Sequence, residues 1–264
     1  MPNRHDKKID PIRTKYFDPL EQAERASDFA FYCAAVLSIA VLLIDRGETP
    51  RLYVVAQIAF LVTAIAGFFL LIAVRVYFSP RAQDVRLGDF LSSAFGFQLI
   101  PERTERYYST EVEEPIRKVG AQALENALFT KEIARRMCSW ERGIIAVYVA
   151  LWLLALFNRN TGFDVMVVAS QIVFSEQLVS RAVRLEWLRG RSESVFTTLY
   201  QLLQVGPLEG NAQRMAFEAR IIHELVKYEN TKSNAAVTLS SRIFERLNPA
   251  LSVEWEKIKS TLHL

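Results

Sequence analysis

Residues 52–74 form the stretch that decides the fold, with the sequence LYVVAQIAFLVTAIAGFFLLIAV and no charged side chain. A helix needs about 20 apolar residues to cross the hydrocarbon core of a bilayer. In lipid, every backbone amide must find a partner within the protein, so a run of this kind has to be helical. The sequence therefore predicts a transmembrane helix over Leu52–Val74.

Three further apolar runs accompany it: Phe29–Ile44, Gly143–Phe157 and a more polar run that begins at Phe163. Together the four runs predict an all-α integral membrane protein with four transmembrane helices in two hairpins and with amphipathic helices in the cytoplasm. The predicted segments are a cytoplasmic N-terminal segment (1–28), a first hairpin (29–76), a cytoplasmic helical segment (77–142), a second hairpin (143–183) and a cytoplasmic helical tail (184–264).

The distribution of basic residues predicts the orientation. Of the 32 Lys and Arg residues, six precede Phe29, eleven lie in residues 75–142 and twelve follow from Arg181, whereas the two short connectors hold three. Basic residues stay on the cytoplasmic side of a membrane, so both termini and the middle segment are expected there. The net charge of +3 is too small, and too evenly mixed with acidic residues, to indicate a nucleic-acid partner.

No pattern in the sequence indicates catalysis. His5, His223 and His263 are far apart, and Cys33 and Cys138 are too few for a disulfide framework. Phosphate-binding loops and metal-binding signatures are missing from the sequence. We therefore predict that the chain is not an enzyme and has no metal or cofactor.

Outside the apolar runs, the spacing predicts amphipathic helices that bury their faces against one another in a cytoplasmic bundle. They are expected over Pro115 to about Ser139, over Arg184–Gln204, through residues 217–228, and from Asn248-Pro249 onward. The faces of the last two comprise Phe217, Ile221, Leu225 and Tyr228, and Leu251, Trp255, Ile258 and Leu262. The helix of the first apolar run is expected to begin at Asp18-Pro19, an N-cap followed by a proline at the first helical position.

Small residues recur at every fourth position in the first two runs. Such rows allow close approach between membrane helices, so we predict that they form the seam of the first hairpin, with oligomer contact as the competing interpretation. The predicted packing residues are Ala30, Ala34, Ser38, Ala59, Thr63 and Gly67.

The fourth run is short for a transmembrane helix. Only residues 163–174 are largely apolar, and at about 1.5 Å per residue they cover roughly 18 Å of a core nearly 30 Å thick. Polar groups that enter the core are costly unless they face protein or water, which makes them candidates for a pore lining. The alternative is that this polar turn reaches the headgroups through helix tilt or local thinning. The pore-lining candidates are Ser170, Gln171, Ser175, Glu176 and Gln177.

Between and beside the hairpins, the chain carries RLGDFLSSAFGFQL at 86–99, ERYYST at 105–110 and KVGAQALENALF at 118–129. In this layout it resembles the SMODS-associating four-transmembrane family and its two-transmembrane SLATT relatives, which are effectors of bacterial nucleotide-signalled defence. The resemblance implies a pore-forming effector of the bacterial inner membrane in anti-phage defence, activated by a cytoplasmic defence partner or a nucleotide second messenger. It brings no catalytic residues, and residues 184–264 contain no nucleotide-binding motif.

Two functions follow from the sequence. The first is an oligomeric membrane effector or channel, because four helices from one chain seldom enclose a wide pore and a homo-oligomer is then required. The second is a non-conducting membrane scaffold or receptor subunit that docks a soluble partner through its cytoplasmic helices. An intramembrane enzyme is disfavoured, since no histidine lies in an apolar run and Glu176 has no acidic partner near it in the sequence.

Overall fold

A computed structural model describes residues 10–102, 104, 112–157, 176–207 and 209–264. Within these ranges the protein is helical and contains no β-strand, which confirms the all-α prediction. In chain order the helices are α1 (Asp18–Leu43), α2 (Pro50–Ala73), α3 (Ser79–Phe95), α4 (Pro115–Phe157), α5 (Arg181–Val205), α6 (Asn211–Ala235) and α7 (Ser241–Leu262). Short π-helical turns at Arg13–Phe17, Val74–Phe78 and Glu176–Ser180 lead directly into α1, α3 and α5.

Helix α1 begins at Asp18 as predicted, but Asp18 is not its N-cap, because the chain before it is already helical. The chain is already helical at Pro11, and the carboxylate of Asp10 accepts a hydrogen bond from the backbone N–H of Arg13 at 3.0 Å. The same pair of residues, an aspartate followed by a proline, thus begins the helical structure two turns earlier. Pro19 lies inside the helix, where it donates no backbone hydrogen bond. The π-helical turn immediately before it, Arg13–Phe17, accommodates that irregularity.

The predicted start of the last helix is wrong. Helix α7 begins at Ser241, and the hydroxyl of Ser240 caps it by accepting a hydrogen bond from the backbone N–H of Ile243. Pro249 therefore lies inside the helix rather than at its start. The predicted apolar stripe is confirmed at Leu251, Trp255 and Leu262, which are buried.

The chain divides into two compact units, which we describe separately. The bundle unit comprises the residues up to Asp18, Ser79–Met137 and Leu185–Leu264. The hairpin unit comprises Pro19–Phe78 and Cys138–Arg184. This division into compact units does not test the predicted boundaries between cytoplasmic segments and membrane hairpins, which stay predictions.

The bundle unit has a conventional apolar core. Large side chains from α3, the first part of α4, α5, α6 and α7 meet in one cluster. Leu124, Leu199 and Ile221 are completely buried there, and Trp255 nearly so. Each such side chain contributes about 1.5–3 kcal/mol through its removal from water. The predicted face of α6 is confirmed, since Phe217, Ile221, Leu225 and Tyr228 are all buried.

The hairpin unit shows the reverse distribution on α2. The residues of this helix that are buried are small, Ala56 and Gly67. Large apolar side chains point outward instead: Val54, Val55, Ile58, Leu61, Val62, Ile65, Phe68, Phe69 and Ile72. This arrangement suits a helix that packs closely on its neighbours and presents its apolar surface to lipid.

Among the described residues, one helical stretch is long and apolar enough to cross a membrane, Pro50–Phe95. Only 11% of its most apolar window is buried. A core helix of a water-soluble protein would be mostly covered, whereas exposed apolar surface on this scale marks a contact with membrane or protein. The stretch therefore indicates membrane association.

Candidate functional site at the boundary of the apolar surface

The apolar outer surface of the hairpin unit extends beyond α2. On α1, Phe29, Val36 and Leu43 are exposed, and on α4, Trp140, Leu154 and Phe157 are exposed. Three helices thus direct large apolar side chains outward. At about 1.5 Å per residue, this surface extends over roughly 22 Å on α1 between Phe29 and Leu43. On α4 it extends over roughly 27 Å between Trp140 and Phe157.

Inside the hairpin unit, α1 and α2 approach each other at two small residues. Gly67 of α2 and Ala30 of α1 are both buried, and a Cβ atom at Gly67 would lie 3.3 Å from the Cβ of Ala30. The close approach exists because neither residue has a larger side chain. Ala34, Ser38, Ala59 and Thr63 are partly buried, and the role of the two rows in assembly stays a prediction.

A cluster of three charged residues joins three helical segments of the hairpin unit. Arg181, the first residue of α5, places Nη1 3.2 Å from Oδ2 of Asp28 on α1 and Nε 3.5 Å from Oε1 of Glu141 on α4. A planar guanidinium can contact two carboxylates at once because its N–H groups point in fixed, different directions. We call Asp28, Glu141 and Arg181 the ionic cluster.

The ionic cluster is partly removed from water. Glu141 is only 9% exposed, and the side chain of Arg181 is 31% exposed. Burial raises the pKa of the Glu141 carboxyl above its ordinary value, Arg181 opposes the shift and Asp28 adds to it. The Arg181 contact therefore offsets only part of the cost of holding this carboxylate away from water.

The cluster lies where the exposed apolar surface begins. Asp28 directly precedes Phe29, which is 71% exposed, and Glu141 directly follows Trp140, which is 72% exposed. Aromatic residues are enriched at membrane–water interfaces. The charged contacts thus coincide with the expected inner boundary of the membrane on both helices.

The predicted pore-lining residues are not tested by the structure. Ser170, Gln171 and Ser175 lie outside the described residues. Glu176 and Gln177 belong to the π-helical turn Glu176–Ser180, but their side chains also lie outside what is described. All five remain predictions.

Sequence reasoning missed the ionic cluster. Asp28, Glu141 and Arg181 are more than a hundred residues apart at the extremes, and no spacing rule connects them. A usable signal was present, since two of the three directly adjoin the aromatic residues Phe29 and Trp140. Acidic residues at such positions are expected to find a cationic partner.

The stretch RLGDFLSSAFGFQL has a structural explanation in the bundle unit. Arg86 Nη2 lies 2.7 Å from Oδ2 of Asp10, and Phe90 is buried in the core. The buried carboxylate of Asp89 accepts hydrogen bonds from the backbone N–H and the hydroxyl of Thr104, at 3.2 and 2.7 Å. Gly88 faces Ile100 so closely that a Cβ would lie 2.5 Å from its Cγ2. These residues fasten α3 to the segments on either side.

The stretch KVGAQALENALF likewise packs in the bundle unit. Val119, Ala123, Leu124 and Leu128 belong to its core. Gly120 lies against Ile221, with side-chain carbons 3.3 Å from the position of a Cβ. The stretch ERYYST lies outside the described residues.

The segment that precedes α1 is attached to the bundle unit by polar contacts. Glu102 accepts a hydrogen bond from the Tyr16 hydroxyl at 2.9 Å and forms an ion pair with Lys15. The hydrogen bonds from the Lys15 ammonium and the Tyr16 hydroxyl hold the pKa of the Glu102 carboxyl below its ordinary value. Together with the Arg86–Asp10 pair, they fix residues 10–17 beside α3.

A groove of about 640 Å³ lies between α5 and α6 in the bundle unit. Its volume falls within the range of small-molecule and peptide sites. Its polar lining comprises Thr198, Gln201, Gln213, Arg220, His223 and Glu224. Its apolar lining comprises Leu202, Val205, Ala216 and Phe217. Within the described residues, no group of three or more His, Cys, Asp or Glu side chains is placed to hold a metal ion.

Comparison of this chain with protein-family models, with curated proteins and with solved structures finds no match.

Proposed function

We propose that this chain is a multi-pass effector of the bacterial inner membrane that oligomerises and opens a conducting path under the control of its cytoplasmic helices. The observation that carries the proposal is the outward-facing apolar surface of α1, α2 and α4, together with the small residues between α1 and α2. Such a surface is unstable in water and stable in lipid. In this proposal α1, α2, α4 and the run from Phe163 cross the membrane, and both termini are cytoplasmic.

We include oligomerisation in the proposal because the contact between α1 and α2 within one chain leaves no path between these two helices. Gly67 and Ala30 bring α1 and α2 into contact and leave no room for water between them. A conducting path then requires several copies around an axis, as in other closed symmetric assemblies. The proposal assigns the chain no enzymatic activity, and it retains anti-phage defence as the setting that the sequence resemblance implies.

Topology and conductance test this proposal in one system. Reporter fusions at Leu264 and near Thr161 should give opposite signals if the chain crosses four times. Induction in bacteria should then collapse the membrane potential, measured with a voltage-sensitive dye, before growth stops. Equal reporter signals would contradict four crossings. A constant membrane potential in cells that contain inserted protein would contradict a conducting effector.

A non-conducting scaffold is the second candidate, and the groove between α5 and α6 favours it. Its apolar lining and the cationic Arg220 suit a partner segment with apolar and acidic residues. The charge reversal Arg220→Glu should then abolish binding of that partner segment, while membrane insertion of the chain and the membrane potential stay unchanged. Arg191→Glu, an exposed change on α5 outside the groove lining, is the matched control.

A further inference from the structure

Three helical segments of the hairpin unit meet at one guanidinium. Arg181 bridges Asp28 of α1 and Glu141 of α4, and α5 begins at Arg181 itself. The exposed Arg25–Glu21 pair, by contrast, joins two turns of α1. The ionic cluster is thus placed to decide whether α1, α4 and α5 stay together.

The balance of charge makes this contact sensitive to the loss of the arginine. The ionic cluster contains two carboxylates and one guanidinium, and Glu24 also acts on Arg181 through its charge. Without Arg181, Asp28 and Glu141 would repel each other, and the buried Glu141 carboxylate would lose its contact with the guanidinium, which is costlier than losing a surface pair. The repulsion would be relieved if α1 and α4 moved apart and water entered.

A buried hydroxyl with no hydrogen-bond partner among the described residues lies next to the ionic cluster in the sequence. Ser27, next to Asp28, is 4% exposed, and its Oγ has no hydrogen-bond partner in the part of the chain described. A buried polar group without a partner destabilises the packed arrangement. The packed arrangement around Ser27 therefore depends on contacts that offset this cost.

We propose that the ionic cluster is a clamp that keeps the hairpin unit closed at the inner boundary of the membrane, and that release of Arg181 from Asp28 and Glu141 lets α1, α4 and α5 separate. This inference rests on the proposed function, because the separation is what opens the conducting path. The clamp is electrostatic, and its effect depends on the pairing of charges rather than on the identity of the residue at each position.

Charge reversal and charge exchange test the clamp. Arg181→Glu leaves three carboxylates together and should raise ion flux into liposomes about tenfold or more per inserted chain, as expected when a partly buried pair becomes a like-charge cluster. The exchange Glu141→Arg with Arg181→Glu restores one guanidinium among two carboxylates, so flux should return to the level of the unmodified chain. Arg25→Glu is the matched control because it reverses a charge on α1 in an exposed pair, and it should not change flux.

A structural measurement separates failure of the clamp from failure of the pore. Spin labels at Phe29 and Trp140, both exposed, report the distance between α1 and α4 in a chain whose two cysteines are replaced by alanine. The distance should widen in Arg181→Glu and narrow again in the exchange variant. If the distance changes in this way while no variant conducts ions, the result supports the clamp and contradicts the proposed conducting path.

If ion flux and the distance between the labels are both unchanged in Arg181→Glu, the clamp is wrong, whether or not the chain forms a pore. The clamp is also wrong if the exchange variant has the same flux and distance as Arg181→Glu. If Arg181→Glu does not insert, Arg181→Gln replaces it in the same assays. That variant removes the charge without adding one and should widen the distance, so a distance equal to that of the unmodified chain would overturn the clamp.

Discussion

At the scale of single residues, Glu141 shows how the position of one carboxylate ties the stability of the protein to pH. Its pKa is raised by burial, with Asp28 adding to the shift and Arg181 opposing it. The native state therefore binds more protons than the unfolded state between the ordinary glutamate pKa, about 4.3, and the raised value. Across that window this group destabilises the native state as pH rises, and above it the cost is constant.

Glu141→Gln should remove that dependence. The thermal midpoint of the unmodified chain in detergent should rise relative to that of the variant as pH falls from neutral into the window just above the ordinary glutamate pKa. At neutral pH the variant should be at least as stable, because the amide has no charge to desolvate. A midpoint difference that stays constant over this range would contradict the role of burial at Glu141.

Gly88 provides a second test at this scale, within the bundle unit. Gly88→Ala places a Cβ 2.5 Å from Cγ2 of Ile100, and a β-branched side chain has little freedom to move away. We expect a loss of about 1–3 kcal/mol in the free energy of unfolding, as for other overpacked sites. Chemical denaturation followed by circular dichroism measures it.

Gly190→Ala is the matched control for Gly88→Ala. It lies on an exposed turn of α5 with no atom within 4 Å of the new Cβ. Alanine favours helix over glycine by about 0.5–1 kcal/mol, so this variant should be more stable than the unmodified chain. Equal losses in the two variants would show that the contact with Ile100 is not the cause.

At the scale of elements, sequence periodicity predicted the helical faces well and the helix ends poorly. The faces of α6 and α7 depend on local spacing, which the sequence contains in full. The starts of α1 and α7 depend on whether Asp18-Pro19 and Asn248-Pro249 begin a helix or lie inside one. In both cases helical structure begins before these residues, at Asp10-Pro11 ahead of α1 and at the Ser240 cap of α7. The ionic cluster could not be predicted because its three residues meet only through tertiary packing.

The contact between α1 and α2 yields a prediction for these elements. Gly67→Leu inserts a branched side chain where even a Cβ would lie 3.3 Å from that of Ala30. The two helices would have to move apart, and we expect a loss of about 1–3 kcal/mol together with weaker assembly. Thermal unfolding in detergent and native gels measure the two effects.

Ala66→Leu is the control on the neighbouring position of α2. Ala66 is exposed, so the added side chain meets lipid or detergent instead of α1. This variant should unfold and assemble like the unmodified chain. If Gly67→Leu did the same, the contact between α1 and α2 would have no role in packing or assembly.

At the scale of the whole molecule, the two units differ in what they bury. The bundle unit covers Leu, Ile and Trp side chains in a core, as a protein does in water. In the hairpin unit, α2 buries Ala56 and Gly67, and Val, Leu, Ile and Phe side chains of α1, α2 and α4 are exposed. One chain thus contains surfaces suited to two solvents, and this contrast supports placing the hairpin unit in lipid and the bundle unit in water.

The conducting path proposed for the assembled molecule depends on the polar face of the run from Phe163. Gln171→Leu combined with Ser175→Leu should reduce ion flux at least about tenfold without changing insertion, because an apolar constriction expels water from a narrow path. Val168→Leu with Ile172→Leu adds leucines at the same spacing to positions that are already apolar, and it should conduct normally. Flux into liposomes, normalised to inserted chain, measures both variants. If the Gln171 and Ser175 variant inserted correctly and conducted fully, this face would not line the path, and the polar residues of the run would serve only to pack the helix near the headgroups.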